Sequence, residues 1–203
     1  LLSAAIDSVG IAKSNTGVTG SISSFSLSAT AGQTGVPPVE PFIRKSTIGP
    51  AYGLNTINGT SFSRNSRVTV GDQQFAAYYE PDTAADDGFD GNVVIARRTI
   101  GSETWQLSET SFLSNNITDT HDVISIAVDG NGVMHMSWGM HANQGGGTNY
   151  ARSTASVLTP GSPIGFTANL AQGGLTGSET NVTYPEFLKL PDGDLLFFYR
   201  QGG

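Results

Sequence analysis

The 203-residue sequence contains no cysteine, which excludes disulfide bonds and cysteine-ligated zinc within it. Only 10 residues are lysine or arginine, and they form no basic stripe that would neutralise the phosphates of a nucleic acid. No apolar run approaches the roughly 18 residues of a membrane-spanning helix. We therefore expect neither a nucleic-acid nor a membrane partner. The net charge of −7 still allows an anionic ligand, because one local cation is enough to bind one carboxylate.

The composition that remains is typical of a β-rich protein. Charged residues make up only 13% of the chain, whereas glycine is abundant at 26 residues. Short apolar runs alternate with segments rich in Gly, Ser, Thr and Asn, which is the pattern of short strands and turns. No stretch shows the period of an amphipathic helix. The sequence therefore predicts an all-β fold.

An internal repeat points to a particular all-β architecture. Val123–Trp138 aligns with Tyr184–Tyr199 at an offset of 61 residues, and Arg67–Tyr79 is a weaker third copy. Each copy has the pattern of a hairpin. Four short antiparallel strands that recur about every 60 residues predict the four-stranded blades of a β-propeller. Further strands of these blades are predicted at Asn92–Arg98, Trp105–Ser108 and Thr148–Ser153.

We interpret the chain as a single partial propeller domain. Residues 1–60 would form an N-terminal segment that leads into the first blade. Residues 61–118 and 119–180 would each form one blade, and residues 181–203 would begin the next. The segment 30–55 shows no strand pattern and is expected to be rich in loops.

Both ends of the chain suggest a longer protein. Leu1–Ala5 fits the tail of a signal peptide and the first strand of a mature fold equally well. The other end, Arg200–Gly203, follows directly after a strong strand, where the next strand of a sheet would be expected. We therefore expect an N-terminal fragment of roughly three blades.

Two residue pairs are placed symmetrically about neighbouring predicted turns. His121 and His141 lie ten residues on either side of Asn131, and Tyr184 and Arg200 lie eight residues on either side of the next turn centre. Residues equidistant from the turn of an antiparallel hairpin face each other. All four side chains are therefore expected at the open ends of adjacent hairpins, at one mouth of the propeller channel.

Each candidate also has a structural interpretation. Tyr184 could cap the core, and His121 could be a surface histidine in a polar loop. His135 lies in mid-strand between two methionines, and we interpret it as a packed histidine. Arg64 and Asn143 are weaker candidates for substrate binding near the same mouth, with a solvated loop position as the alternative.

The four groups suit one kind of chemistry. An imidazole can act as a base near neutral pH, and a phenol can serve as an acid. A guanidinium binds a carboxylate through two hydrogen bonds and stabilises negative charge that develops next to it. Together these groups can deprotonate a carbon that neighbours a carboxylate.

Four motifs carry a resemblance to a known family. They are His121–Ile126, Met136–His141, Val182–Phe187 and Pro191–Arg200, and the resemblance covers about residues 65–203. In these motifs the chain resembles the ulvan lyases of polysaccharide lyase families 24 and 25. Those lyases are seven-bladed propellers of the BNR-repeat group, so the resemblance implies seven blades in the full-length protein.

The resemblance implies β-elimination on a sulfated, uronate-containing polysaccharide. It places the family's two histidines, tyrosine and arginine at His121, His141, Tyr184 and Arg200, with the arginine neutralising the uronate carboxylate and His and Tyr serving as base and acid. It implies no catalytic cofactor, no metal site in this span and a structural metal ion only outside it. A monomer with an anionic polysaccharide as its partner, secreted or periplasmic in a bacterium, is expected.

Two other functions stay open. A glycoside hydrolase on a sialidase-like propeller would need paired carboxylates, or a Tyr/Glu nucleophile with an arginine cluster. Asp82, Asp86, Asp87 and Asp90 cluster in the sequence, but their spacing also fits a solvated acidic loop or a calcium site. A non-catalytic sugar-binding propeller would keep the aromatic residues at the channel mouth and lack the base.

Overall fold

The computed structural model describes residues 6–12, 19–28, 42–59, 65–81, 90–114, 116–141, 148–161, 163–170, 179 and 181–202. The strands are β1 Ile6–Ala12, β2 Thr19–Ser28, β3 Phe42–Tyr52, β4 Arg67–Val70, β5 Gln73–Pro81, β6 Gly91–Thr99, β7 Gln106–Ser114, β8 Ser125–Val128, β9 Met134–Ser137, β10 Tyr150–Arg152, β11 Val182–Lys189 and β12 Leu195–Gln201. A 3-10 helix, Ile57–Gly59, is the one helical element in these ranges, and no helix there is long and apolar enough to cross a bilayer.

The strands form four antiparallel sheets in chain order. The first sheet contains β1, β2 and β3, and the second contains β4 to β7 in sequential order. The third contains β8, β9 and β10, and the fourth is the hairpin of β11 and β12. The all-β prediction is confirmed for the described residues, and the second sheet has the predicted four strands. Closure into a propeller ring stays a prediction.

The first two strands of each repeat form the predicted hairpins. β8 and β9 pair from Ser125 opposite Ser137 to Val128 opposite Met134, which is symmetric about Asn131 as expected. The turns of the third and fourth sheets lie side by side, since the Gly130 N–H donates to the Gly193 carbonyl at 2.9 Å. The two hairpins therefore run in the same direction, with their turns at one end and their open ends at the other.

Successive sheets pack through their leading strands. β8 packs against β4 on one side and β11 on the other. The Phe187 N–H donates to the Ser125 hydroxyl at 3.2 Å, and the Asn65 amide donates to the Phe187 carbonyl at 2.7 Å. β8 is buried along its whole length because sheets cover both of its faces. This packing fixes the open ends of the third and fourth sheets next to each other.

The main core lies between the second and third sheets. Phe75, Ile95, Ile126 and Trp138 are each at most 2% exposed within one continuous apolar cluster. The Trp138 ring stacks on Phe112 with centroids 4.5 Å apart. Trp138 lies three residues before His141, so the core anchors the segment that carries this histidine.

The predicted pairing of Tyr184 with Arg200 is wrong by one residue. Thr183 is opposite Arg200 and Glu186 is opposite Phe198, so Tyr184 and Pro185 together face a single residue of β12. This is a β-bulge, and Pro185 favours it because proline has no N–H to give to the ladder. Tyr184 has a φ of 54°, an unusual value for a bulky side chain, and the bulge redirects its ring.

The expectation of a loop-rich segment at residues 30–55 is wrong in its second half. β3 occupies Phe42–Tyr52 and pairs with β2 over ten positions. Gly49 and Pro50 indicate a loop when read locally, but β3 lies at the edge of its sheet, where proline is tolerated.

Candidate functional site

His121 is positioned by a tight turn that precedes β8. The Asp122 N–H donates to the Asp119 carbonyl at 3.1 Å, and the His121 N–H donates to Asp119 Oδ1 at 3.0 Å. An aspartate that accepts the N–H two residues later is a common turn arrangement. The turn therefore places the Asp119 carboxylate and the His121 ring side by side.

Contacts with the second sheet position the segment that carries His141. The Gly139 N–H donates to the hydroxyl of buried Tyr79 at 2.9 Å. Gly139 has a φ of 60°, and a Cβ there would lie 3.3 Å from the Ser114 hydroxyl, so glycine suits this bend. The bend follows β9 and turns the chain so that His141 reaches the neighbourhood of His121.

The Asp119 carboxylate joins the two imidazoles. Its Oδ1 lies 2.6 Å from His121 Nδ1, and its Oδ2 lies 2.5 Å from His141 Nδ1. The ring centroids are 4.4 Å apart. Burial acts to raise the pKa of Asp119, but hydrogen bonds from His141 and His121 outweigh burial and lower this pKa to about 2. The carboxylate is therefore ionised at neutral pH.

Tyr184 and Arg200 continue the row from the neighbouring sheet. The ring centroids of His121 and Tyr184 are 5.8 Å apart, and the Arg200 guanidinium carbon lies 4.9 Å from the centre of the Tyr184 ring. Arg200 is exposed, and within the described ranges no carboxylate forms an ion pair with it. The structure thus brings all four predicted residues into one row of contacts, with a cation at its end.

A second carboxyl lies beneath this row. Asp122 is 4% exposed and hydrogen bonds with Ser114. Burial, reinforced by the like charge of Asp119, raises the pKa of Asp122 to about 7, although His141, His121 and Ser114 act in the opposite direction. Neither Asp119 nor Asp122 was among the site residues predicted from the sequence. Asp119 lies two residues before His121 and Asp122 lies one residue after it, and this closeness in sequence is the signal that could have identified them.

Asp122→Asn is expected to change how stability depends on pH. Because the pKa rises from 3.8 to about 7 on folding, the folded protein binds more protons than the unfolded chain between these values. The contribution of Asp122 to the free energy of unfolding is thus full below pH ~4, falls by on the order of 4 kcal/mol as the pH rises from ~4 through ~7, and is constant above that. The variant should lack this fall, as measured by denaturant unfolding between pH 4.5 and 8.

The matched control is Asp72→Asn, which changes an exposed carboxyl in the β4–β5 turn. It should leave the pH dependence unchanged. Asp119 does not affect this measurement. Its pKa is lowered in the folded protein, so it changes the free energy of unfolding only at lower pH, where stability is lost as the pH falls toward ~2. A constant difference between Asp122→Asn and wild type across this pH range would contradict the expectation.

The remaining predicted residues fall elsewhere. Arg64 and Asn143 lie outside the described residues, as do Asp82, Asp86 and Asp87. His135 is at the turn end of the hairpins, where its ring nitrogens contact the Tyr150 hydroxyl at 2.8 Å and Asp129 at 3.3 Å. Both of its nitrogens are engaged, which fits the expected structural role.

Two further features of the described residues are a set of possible metal ligands and a cavity. Asp119, His121 and His141 offer ligand atoms within 4.8 Å of one another, close enough to hold a metal ion. A cavity of about 540 Å³ lies at the turn end and not at the row; His135, Tyr150, Phe187 and Asp192 are among its lining residues. The row itself lies at the open ends of the strands, and Arg200 at its end is exposed.

Comparisons with known proteins give a family and a fold. Polysaccharide lyase Uly1 matches with a TM-score of 0.53 and 19% identity, over 70% of this chain and 36% of that one. A PL25 ulvan lyase matches with a TM-score of 0.50 and 16% identity, over 70% of this chain and 32% of that one. A PL25 ulvan lyase bound to -[GlcA(1-4)Rha3S]- matches with a TM-score of 0.51 and 16% identity, with the same coverage.

At these identities the likeness shows a shared fold, and this chain spans about a third of the length of those lyases. No curated protein sequence matches it significantly. The family model described as "BNR repeat-containing family member" matches residues 73–203. This match includes β5 to β12 and every residue of the row. The chain therefore belongs to the BNR repeat-containing family.

Proposed function

We propose that this chain carries the catalytic centre of a polysaccharide lyase that cleaves a sulfated, uronate-containing polysaccharide of the ulvan type. The observation that supports this most is the continuous row of His141, His121, Tyr184 and Arg200, with successive separations of 4.4, 5.8 and 4.9 Å. The row combines two imidazoles, a phenol and a guanidinium in successive contact.

Arg200 binds the uronate carboxylate in this proposal. Its guanidinium is exposed, and the ring of Tyr184 beneath it holds it without neutralising it. Pairing with the carboxylate removes the charge that otherwise opposes loss of the neighbouring C5 proton. The same hydrogen bonds then stabilise the enolate-like intermediate, in which negative charge moves onto the carboxylate oxygens.

The elimination needs one base and one acid. His121 accepts the C5 proton, and the electron pair of the C5–H bond forms the C4=C5 double bond. The C4–O bond breaks, and the Tyr184 hydroxyl gives its proton to the departing oxygen. His141 transfers no proton in this proposal; it shares the Asp119 carboxylate with His121 and lies beside this base. The products are an unsaturated uronate and a new chain end, with no net oxidation or reduction.

The comparisons support the substrate class and not the details. The matched PL25 ulvan lyase is described as bound to a glucuronate–sulfated rhamnose unit. A protein with the same fold and an arginine that forms no ion pair within the described ranges is suited to a polymer that carries one carboxylate per repeat. Because the net charge of this chain is −7, we expect a single local cation to bind each carboxylate of the polymer.

Incubation of the full-length protein with ulvan tests the proposal. We expect ultraviolet absorbance from the conjugated double bond to grow in step with the number of new reducing ends. Ulvan whose carboxyl groups have been reduced to alcohols is the matched control and should not be cleaved, because it offers Arg200 no carboxylate. New reducing ends without absorbance would indicate a hydrolase, and binding without either product would indicate a sugar-binding protein.

A further inference from the structure

The Asp119 carboxylate has two histidine partners and uses a different oxygen for each. Oδ1 contacts His121 Nδ1 at 2.6 Å and Oδ2 contacts His141 Nδ1 at 2.5 Å. About a quarter of the Asp119 side chain is exposed, less than the 35% of His121 and the 29% of His141. No other described carboxylate contacts two imidazoles.

This contact determines where each imidazole carries its proton. An ionised carboxylate has no hydrogen to donate, so it only accepts hydrogen bonds. Both Nδ1 atoms must therefore carry the hydrogen. A neutral imidazole has one N–H and one lone pair, which leaves Nε2 as the proton-accepting atom of both His121 and His141.

We propose that Asp119 is a positioning residue that holds His121 and His141 as Nδ1–H tautomers, so that both rings present a basic Nε2 to the substrate. The inference rests on the proposed elimination and adds to it the residue that prepares the base. Without the carboxylate, each ring would be free to place its proton on Nε2, and a ring in that state cannot accept the C5 proton there.

Asp119→Asn separates this role from the role of Asp119 in the turn. The asparagine has the same shape, and its Oδ1 can still accept from the His121 N–H and from His121 Nδ1. Its NH₂ group replaces Oδ2, however, and donates toward His141 Nδ1. We expect His121 to stay an Nδ1–H tautomer, while His141 is driven to the Nε2–H tautomer.

The measurement is a long-range ¹H–¹⁵N correlation spectrum of the full-length protein labelled with ¹⁵N-histidine, above the pH at which the rings are neutral. Single His→Gln variants assign the signals. Wild type should show Nδ1–H at both positions, and Asp119→Asn should show Nε2–H at His141 alone. Turnover of ulvan by Asp119→Asn should fall about 10- to 100-fold, because the neutral amide no longer stabilises the positive charge that His121 gains when it accepts the C5 proton.

Asp129→Asn is the matched control. Asp129 also accepts backbone N–H groups in a turn and also contacts a histidine, but this histidine is His135 at the other end of the hairpin. The control should keep wild-type turnover and both site tautomers. Circular dichroism checks that each variant is folded.

Three outcomes would overturn the inference. The first is an Nε2–H signal from His121 or His141 in wild type, a result that needs no variant to fold. The second is an altered His141 tautomer with unchanged turnover. The third is loss of turnover on chelation with recovery on adding Zn²⁺, which would make Asp119 a metal ligand.

Failure of the lyase proposal has a different signature. Wild type would then form no unsaturated product, while the tautomer spectra would still report what Asp119 does to the two rings. Spectra of the expected form would in that case leave Asp119 as an organiser of the pair without a role in elimination, and the positioning proposal would fail together with the lyase.

Discussion

Arg200→Ala in the full-length protein is expected to lower kcat/KM on ulvan at least ~10³-fold, the upper range for removing one donor that stabilises developing negative charge. The C5 proton is weakly acidic when the adjacent carboxylate keeps its charge. Arg200 is the cation that the structure places at the end of the row, 4.9 Å from the Tyr184 ring centre. Initial rates of absorbance increase measure the effect.

Two further variants make the result specific. Arg200→Lys keeps the charge but loses the paired hydrogen bonds, so its activity should lie between those of wild type and Arg200→Ala. Arg152→Ala removes an exposed arginine from β10 and should remain close to wild type. Activity of Arg200→Ala near the wild-type level would refute the proposed mechanism.

His121→Ala and Tyr184→Phe should each lower kcat by about 10²-fold or more, because each removes a group that moves a proton in the transition state. Tyr184→Phe keeps the ring that supports Arg200 and removes only the hydroxyl, so its KM should change little. Single-turnover measurements of product absorbance separate this loss of chemistry from slower product release.

The other two histidines supply controls for these variants. His141→Ala should be milder than His121→Ala, because His141 transfers no proton in the proposed elimination. His135→Ala should lower the free energy of unfolding by ~1–3 kcal/mol through loss of partly buried hydrogen bonds, with turnover intact in the folded fraction. Survival of activity in His121→Ala alone would transfer the role of base to Tyr184.

The hairpins could be predicted from sequence because their signals are local. Asp129–Gly132 and Pro191–Asp194 are turn sequences between apolar runs, and the register of β8 and β9 follows from the turn between them. β3 could not be predicted, because its glycine and proline are acceptable only at a sheet edge. Which strand lies at an edge depends on how the whole sheet assembles.

The site could be predicted in its residue types but not in its detail. Symmetry about two turns brings His121, His141, Tyr184 and Arg200 to the same end of the hairpins. The bulge at Tyr184 shifts the register by one residue, and only the Pro185 that follows indicates an irregularity there. The partnership of Asp119 with His141 spans 22 residues and depends on the bend at Gly139, so no local pattern reveals it.

The contact between Gly130 and Gly193 has a consequence for substitutions far from the reacting groups. A Cβ added at Gly193 would lie 2.8 Å from the Gly130 Cα, closer than real Cβ contacts, so the two sheets would have to separate there. His121 lies in the turn that precedes the first strand of one of these sheets, and Tyr184 lies in the first strand of the other. The gap between base and acid is therefore set partly by two residues without side chains at the far end of the strands. A library of variants selected for turnover should retain both glycines, although neither can touch the polysaccharide in the row.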